Sequence, residues 1–128
     1  MQTYPSSEAG APGAAQLSEP ECRTLLATRT FGRVGLTSGG LPVILPVRYG
    51  FADGVITFSP GQDTALRAAQ SGDVLAFEVD AFDPVMGEGW SVLALGRATV
   101  VTEELRPTVQ LHCELLTGQL LSAERVGG

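Results

Sequence analysis

The chain has 128 residues, with no lysine, no asparagine and a single histidine, His112. One histidine excludes a multi-histidine metal centre. The two cysteines, Cys22 and Cys113, are too far apart for zinc-ligand spacing, so no metal site is expected and both read as buried thiols. Cations are scarce as well: eight arginines stand against fourteen acidic residues, for a net charge of −6. Affinity for nucleic acid rests on clustered cations, and nucleic acid is therefore not an expected partner. No apolar run approaches the roughly eighteen residues that would cross a bilayer, and residues 1–16 lack the basic start and apolar centre of a leader peptide. The expectation is a soluble, cytoplasmic protein without a membrane partner. Also missing are GxGxxG, GxxxxGK[ST], CxxC and HExxH, which removes the common phosphate-cradling, redox and zinc-hydrolase signatures.

What is plentiful is glycine (16) and proline (8), while charged residues make up only 17%. That balance suits short strands joined by turns better than a helical bundle, and points to a mostly-β barrel or sandwich. The length is that of one domain able to bury a core without staples. Residues 1–16, MQTYPSSEAGAPGAAQ, have little to bury and read as a disordered arm, with Tyr4 its one candidate for contact with a neighbouring subunit. Residues 17–121 form the domain, and 122–128 a frayed tail.

Along the chain, Ser18 and Glu21 match a capping box, opening a helix of about ten residues whose face carries Cys22, Leu25 and Leu26. Residues 31–37 alternate Val34 and Leu36 inward with Arg33 and Thr37 outward, and pair antiparallel with the next strand. In that strand Val43, Leu45, Val47 and Tyr49 share one face. Pro42 and Pro46 each lack an N–H, so it must be an edge or must bend. Asp53-Gly54 supplies a type I′ turn and Val55-Ile56-Thr57-Phe58 closes the hairpin. Asp63 caps a helix over 64–71 that Gly72 stops, and the loop before it is a ready anion site. Residues 74–80 put Leu75, Phe77 and Val79 on one side. Residues 90–101 are apolar on both faces, as expected of a barrel wall that also meets a second subunit. Val109, Leu111 and Cys113 mark a last strand, which Thr117-Gly118 is expected to turn before Leu120 and Leu121 add a short pairing.

Few residues invite chemistry. His112 lies mid-strand on a polar face and reads as a solvated or interface histidine rather than a catalytic base. Glu78 and Asp80, two apart on one strand face, are either paired carboxylates in a cleft or a solvated sheet face, and the second is the simpler reading. Arg33, Arg48 and Arg97 are cations on strands, able to converge on an anion or to serve as surface ion pairs. Trp90 is equally suited to stack on a planar ring or to fill core.

The segments ECRTLLATRTFGRVGL, LPVILPVRYGFADGVITFS, VLAFEVD and GWSVLALGRATVV, in that order, resemble the pyridoxamine 5′-phosphate oxidase-like family of flavin-binding split barrels, in particular its small actinobacterial-type members. The resemblance implies a six-stranded antiparallel split barrel with short flanking helices. It also implies a homodimer binding FMN, or in some branches F420 or haem, in clefts at the subunit interface, as a flavin-dependent oxidoreductase acting on a small organic substrate. Carried over by position, it sets Pro46, Val47, Arg48 and Tyr49 beside the ring and ribityl chain. It sets Phe58, Ser59 and Thr64 near the phosphate, and Trp90 and Ser91 across the cleft. Where relatives commonly carry two phosphate cations, this chain reads Ser59-Pro60 and Ala65, leaving Arg67 as the nearby substitute. The link between Val101 and Val109 is also short. These departures define the alternative: a barrel that has lost its flavin and binds or converts an apolar small molecule without cofactor in the same cleft. No catalytic residue stands out.

Overall fold

A computed structural model describes residues 14–61 and 63–122. The first helix, α1 (Glu19–Ala27), begins where the capping box requires: the Glu21 N–H donates to Ser18 Oγ, and Glu21 Oε1 accepts from the Ser18 N–H at 2.8 Å. The strands are β1 (Ala14–Gln16), β2 (Phe31–Ser38), β3 (Leu41–Ala52), β4 (Val55–Phe58), β5 (Val74–Asp83), β6 (Glu88–Glu103) and β7 (Arg106–Ser122), with α2 (Asp63–Gln70) between β4 and β5. All pairings are antiparallel, in the order β1-β7-β4-β3-β2-β5-β6, and β6 pairs again with β7. Six strands thus close into a barrel, with β1 added at its margin.

The split lies in β3. Its first eight residues pair with β2 and its last four with β4, so residues 41–48 have a partner on one side only among the described residues. The Tyr49 N–H donates to Thr30 O, next to β2. Strand alternation then turns the N–H positions of residues 42, 44, 46 and 48 to the open side. Pro42 and Pro46 fall there, where a missing donor breaks no ladder bond.

The inward residues are those that alternation names. Val34, Leu36, Val47, Tyr49, Ile56, Phe58, Leu75, Phe77, Val79, Val92 and Ala94 are buried, joined by Cys22 and Leu26 from α1 and Ala65, Ala68 and Ala69 from α2. Phe77 sits between Tyr49 (ring centroids 5.1 Å apart, edge-on) and Phe58 (6.0 Å). Asp53 and Gly54 have φ of 52° and 75°, as the hairpin turn requires.

Three details differ from the sequence reading. Ala14–Gln16 pairs with residues 119–121 rather than belonging to a free arm, while residues 1–13, with Tyr4, lie outside the described residues, as do 123–128. Ser122 still belongs to β7. Thr117-Gly118 does not turn the chain: β7 runs through it, because Gly118 faces Cys22 and Leu17, where only a bare Cα fits. Beyond those three, and unaddressed by the sequence reading, the register of β7 shifts by one between Leu95 and Gly96, so Glu114 is an extra residue and Leu116 points inward.

On the outside, the registers align two rows across the wall. Ile44, Gly35, Ala76, Leu95 and Leu115 form an apolar row with small residues at its middle. Pro46, Arg33, Glu78, Leu93 and Thr117 form the next.

Candidate functional site

β3 presents Pro46 and Arg48 on its outer face, two residues apart, and each borders a different groove. The first groove, about 450 Å³, is lined by Arg48, Tyr49, Thr57, Phe58, Ser59 and Thr108. β4 places Thr57 outward by the same alternation that buries Phe58, and Ser59 follows as the strand ends. The groove therefore offers one guanidinium and the hydroxyls of Thr57, Ser59 and Thr108. A cation with several neutral donors is a donor set suited to a phosphate group.

The second groove, about 470 Å³, is lined by Arg29, Thr30, Phe31, Gly32, Arg33, Pro46, Asp80, Ala81 and Phe82. A recess of about 320 Å³ that shares Arg29, Ala81 and Phe82 extends to Trp90. The Arg29 guanidinium lies 5.8 Å from the Trp90 ring centroid, within cation–π range. Gly32 is required here, since a Cβ at that position would run into the Phe77 ring.

The register of β2 on β5 places Arg33 opposite Glu78, and Arg33 Nη1 donates to Glu78 Oε1 at 3.0 Å and to Asp80 Oδ2 at 3.2 Å. One guanidinium thus serves two carboxylates. Burial, followed by the neighbouring Asp80 carboxyl, pushes the Glu78 pKa up to about 7 against the pull of Arg33. The pair lies on the outer barrel wall, partly exposed and tied to Arg33, with Asp80 but not Glu78 bordering the groove, so the sheet-face reading describes it better than two carboxylates in a cleft.

Of the residues named from the sequence, Arg48, Tyr49, Phe58 and Ser59 meet at the first groove, Pro46 lines the second, and Trp90 lines the recess beyond it. Val47, Tyr49 and Phe58 are buried, so they support the site from the core side. Ser91 is half-buried and pairs with Asp80. Thr64 lies in the first turn of α2, and Arg67, further along that helix, is exposed; neither lines the first groove. Sequence reasoning missed Arg29, Phe31, Thr57, Phe82 and Thr108. For Thr57 the signal was present, because a strand that buries Phe58 turns its neighbour outward. For Arg29 and Phe82 it was not, because only the pairing of β2 with β5, strands far apart in the chain, brings them together.

The Cys22 thiol is pushed up by burial, helped by Glu21 and Glu19, and that of Cys113 rises to about 11, also by burial. Both are free and neither lines either groove.

Comparison with known proteins gives a consistent result. The family model described as pyridoxamine 5′-phosphate oxidase matches residues 18–119. An uncharacterised protein of Mycobacterium tuberculosis is 37% identical over 93 residues, covering 69% of this chain; the chain spans 61% of that relative's length. Among solved structures, an FAD-binding protein of Mycobacterium smegmatis is 28% identical, with a TM-score of 0.73 over 84% of this chain and 98% of the other. An FAD-binding protein of Mesorhizobium loti is 15% identical, with a TM-score of 0.77 over 85% and 99%. An FAD- and haem-binding protein of M. smegmatis is 18% identical, with a TM-score of 0.66 over 86% and 74%. These last two bear on the fold alone, and they agree with the split barrel described above. No described helix is long and apolar enough to cross a membrane.

Proposed function

Since the chain belongs to the pyridoxamine 5′-phosphate oxidase family, we propose that it binds a flavin nucleotide and acts as an oxidoreductase on a small organic substrate, as a homodimer. The observation that carries this reading is the first groove, where Arg48, Thr57, Ser59 and Thr108 converge as donors to a phosphate. The residues present fit that group: in place of the two cations that relatives commonly carry at the positions of Ser59-Pro60 and Ala65, the groove offers Arg48, with hydroxyls completing the set. The bound flavin supplies the two-electron chemistry. The chain's own residues bind and orient it. Arg48 and the three hydroxyls hold the phosphate end, while Pro46, with no N–H, and the open edge of β3 leave backbone free beside the ring. Tyr49 and Phe58, packed on Phe77, keep the floor of the groove rigid. The FAD-binding relative at 28% identity supports the same choice of cofactor class.

The dimer is supported by the outer face. Ile44 is 72% and Leu93 37% exposed on a wall whose central residues, Gly35 and Ala76, are small enough for a second barrel to approach closely. Asp80, at the margin of the second groove, pairs with Ser91, two residues along β6 from Leu93. A dimer formed on that face would leave both grooves at its edge.

The test is a titration of the purified protein with FMN, FAD and F420, followed by visible absorption and fluorescence. Saturable binding of a flavin, with a yellow complex, is expected. A protein that ignores all three and also haem would overturn the reading in favour of a cofactor-free barrel.

A further inference from the structure

The second groove is separate from the phosphate site proposed above, yet it has the make-up of a ligand site. Phe31 and Phe82 are 63% and 52% exposed in a chain that is only 6% aromatic. Pro46, on β3 at the side of β2 away from β5, adds a third apolar surface to the groove. Exposed aromatic rings gathered at one groove have no folding rationale, since they bury little in the chain itself.

The polar groups narrow the ligand. Arg33 is committed to Glu78 and Asp80, so the charge of Asp80 at the groove is already countered. Arg29 has no ion pair among the described residues; its guanidinium rests near the Trp90 ring, a cation–π contact that limits its freedom without supplying a counter-ion. A guanidinium restrained in this way is prepared to take a carboxylate in two parallel hydrogen bonds. A neutral ligand would leave it unpaired in a groove that binding has partly dried, and a cation would be repelled. The volume of about 470 Å³ lies in the range of small-molecule sites and suits one or two fused rings.

We propose that this groove binds a planar aromatic carboxylate, with the acid on Arg29 and the ring against Phe31, Phe82 and Pro46. Pro46 lies two residues from Arg48 on the same face of β3, roughly 7 Å along the strand. The ligand is therefore set beside the flavin site and is the substrate class of the proposed oxidoreductase. The inference rests on the flavin reading for the word substrate, but not for the binding.

The test is calorimetric titration of the full chain with 1-naphthoate, in parallel with FMN. The expected result is saturable binding of one naphthoate per chain, weakened about tenfold or more in Arg29→Gln, as for loss of a hydrogen bond to a charged group. Binding is expected to be partly recovered in Arg29→Lys and unchanged in Arg106→Gln, an exposed arginine at the far β6–β7 turn. The neutral analogue 1-naphthalenemethanol should bind at least as poorly to the unaltered protein as naphthoate does to Arg29→Gln. Naphthoate affinity that survives Arg29→Gln, equal binding of the alcohol, or no saturation at all overturns the inference. So does binding that disappears as the protein self-associates, since the groove would then be filled by a second copy. If FMN binds and naphthoate does not, this inference alone fails; if naphthoate binds and no flavin does, the flavin reading alone fails.

Discussion

Tyr49 donates its phenolic hydrogen to the Leu26 carbonyl oxygen at 2.6 Å, and both residues are buried. Leu26 lies in the last turn of α1, whose carbonyls lack helical partners, so the bond fastens that helix to the strand that lines the first groove. Tyr49→Phe keeps the ring against Phe77 but strands a buried carbonyl, and should destabilise the protein by about 1–3 kcal/mol in urea unfolding. Burial also pushes the Tyr49 pKa up to about 12 from 10, with Arg29 opposing. A raised pKa means stability that is complete below the unfolded value and lost as pH climbs through the folded one. Unfolding midpoints should therefore fall between pH 10 and 12, and Tyr49→Phe should remove that fall.

Glu78 gives a second pH dependence, at lower pH. Its pKa is raised from 4.5 to about 7, chiefly by burial and then by Asp80. The sign is the same as for Tyr49: the contribution is complete below pH 4.5 and is lost as pH rises through 7. The melting temperature should drop over that interval by more in the unaltered protein than in Glu78→Gln, which keeps the shape and cannot ionise. A carboxyl carbon titration of Glu78 by NMR with a midpoint near 4.5 would contradict this. Removing Arg33, the one cation bonded to the pair among the described residues, should move the midpoint higher still.

Gly96 sits at the shift in register between β6 and β7, where a Cβ would run into the His112 carbonyl. The Arg97 N–H donates to Glu114 Oε2 at 3.0 Å, so the side chain of the extra residue satisfies the backbone beside the bulge. Gly96→Ala must separate the two longest strands and should cost about 3 kcal/mol, at the upper end of overpacking effects. Unfolding in urea checks this, with Gly61→Ala, where nothing lies within 4 Å, as the harmless comparison.

These elements show what the sequence made legible. The capping box of Ser18 and Glu21, the turn at Asp53-Gly54 and the alternation in β2, β3 and β5 depend on neighbours in the chain, and each is found where the pattern put it. The bulge at Glu114 depends on β6, a partner far along the chain, so the apolar run 115–116 read equally well in either register. The turn expected at Thr117-Gly118 failed for a related reason: that glycine is there for Cys22 and Leu17, not for a bend. At the site, Arg48 and Ser59 were legible from their resemblance to relatives. Arg29 and Phe82 gain meaning only when β2 pairs with β5.

Arg48 is the one cation lining the first groove among the described residues, and Arg67 does not line it. Arg48→Gln should weaken flavin affinity by about ten- to a hundredfold, the range for one hydrogen bond to a charged group. Arg67→Ala should leave it unchanged. A fluorescence titration of both variants separates them. Equal losses would return Arg67 to the role that its place in α2 suggested.

Leu93 offers the sharpest test of assembly. It lies on the outer face of β6, beside Glu78 on one side and Thr117 on the other, with Leu95 half-buried one place along the same face. Its side chain plays no part in the barrel core, so Leu93→Glu should leave the monomer's fold intact, which circular dichroism can check. If two copies meet on this wall, the substitution buries a carboxylate at the interface without a partner, at a cost of several kcal/mol. It also adds to the negative charge of Glu78 and Asp80, which the same face already carries. Sedimentation velocity should show a dimer for the unaltered chain and a monomer for Leu93→Glu. The variant should also lose flavin affinity, because a cleft between subunits disappears with the second subunit. A chain that is monomeric at micromolar concentration yet binds flavin fully would place the whole site within one barrel.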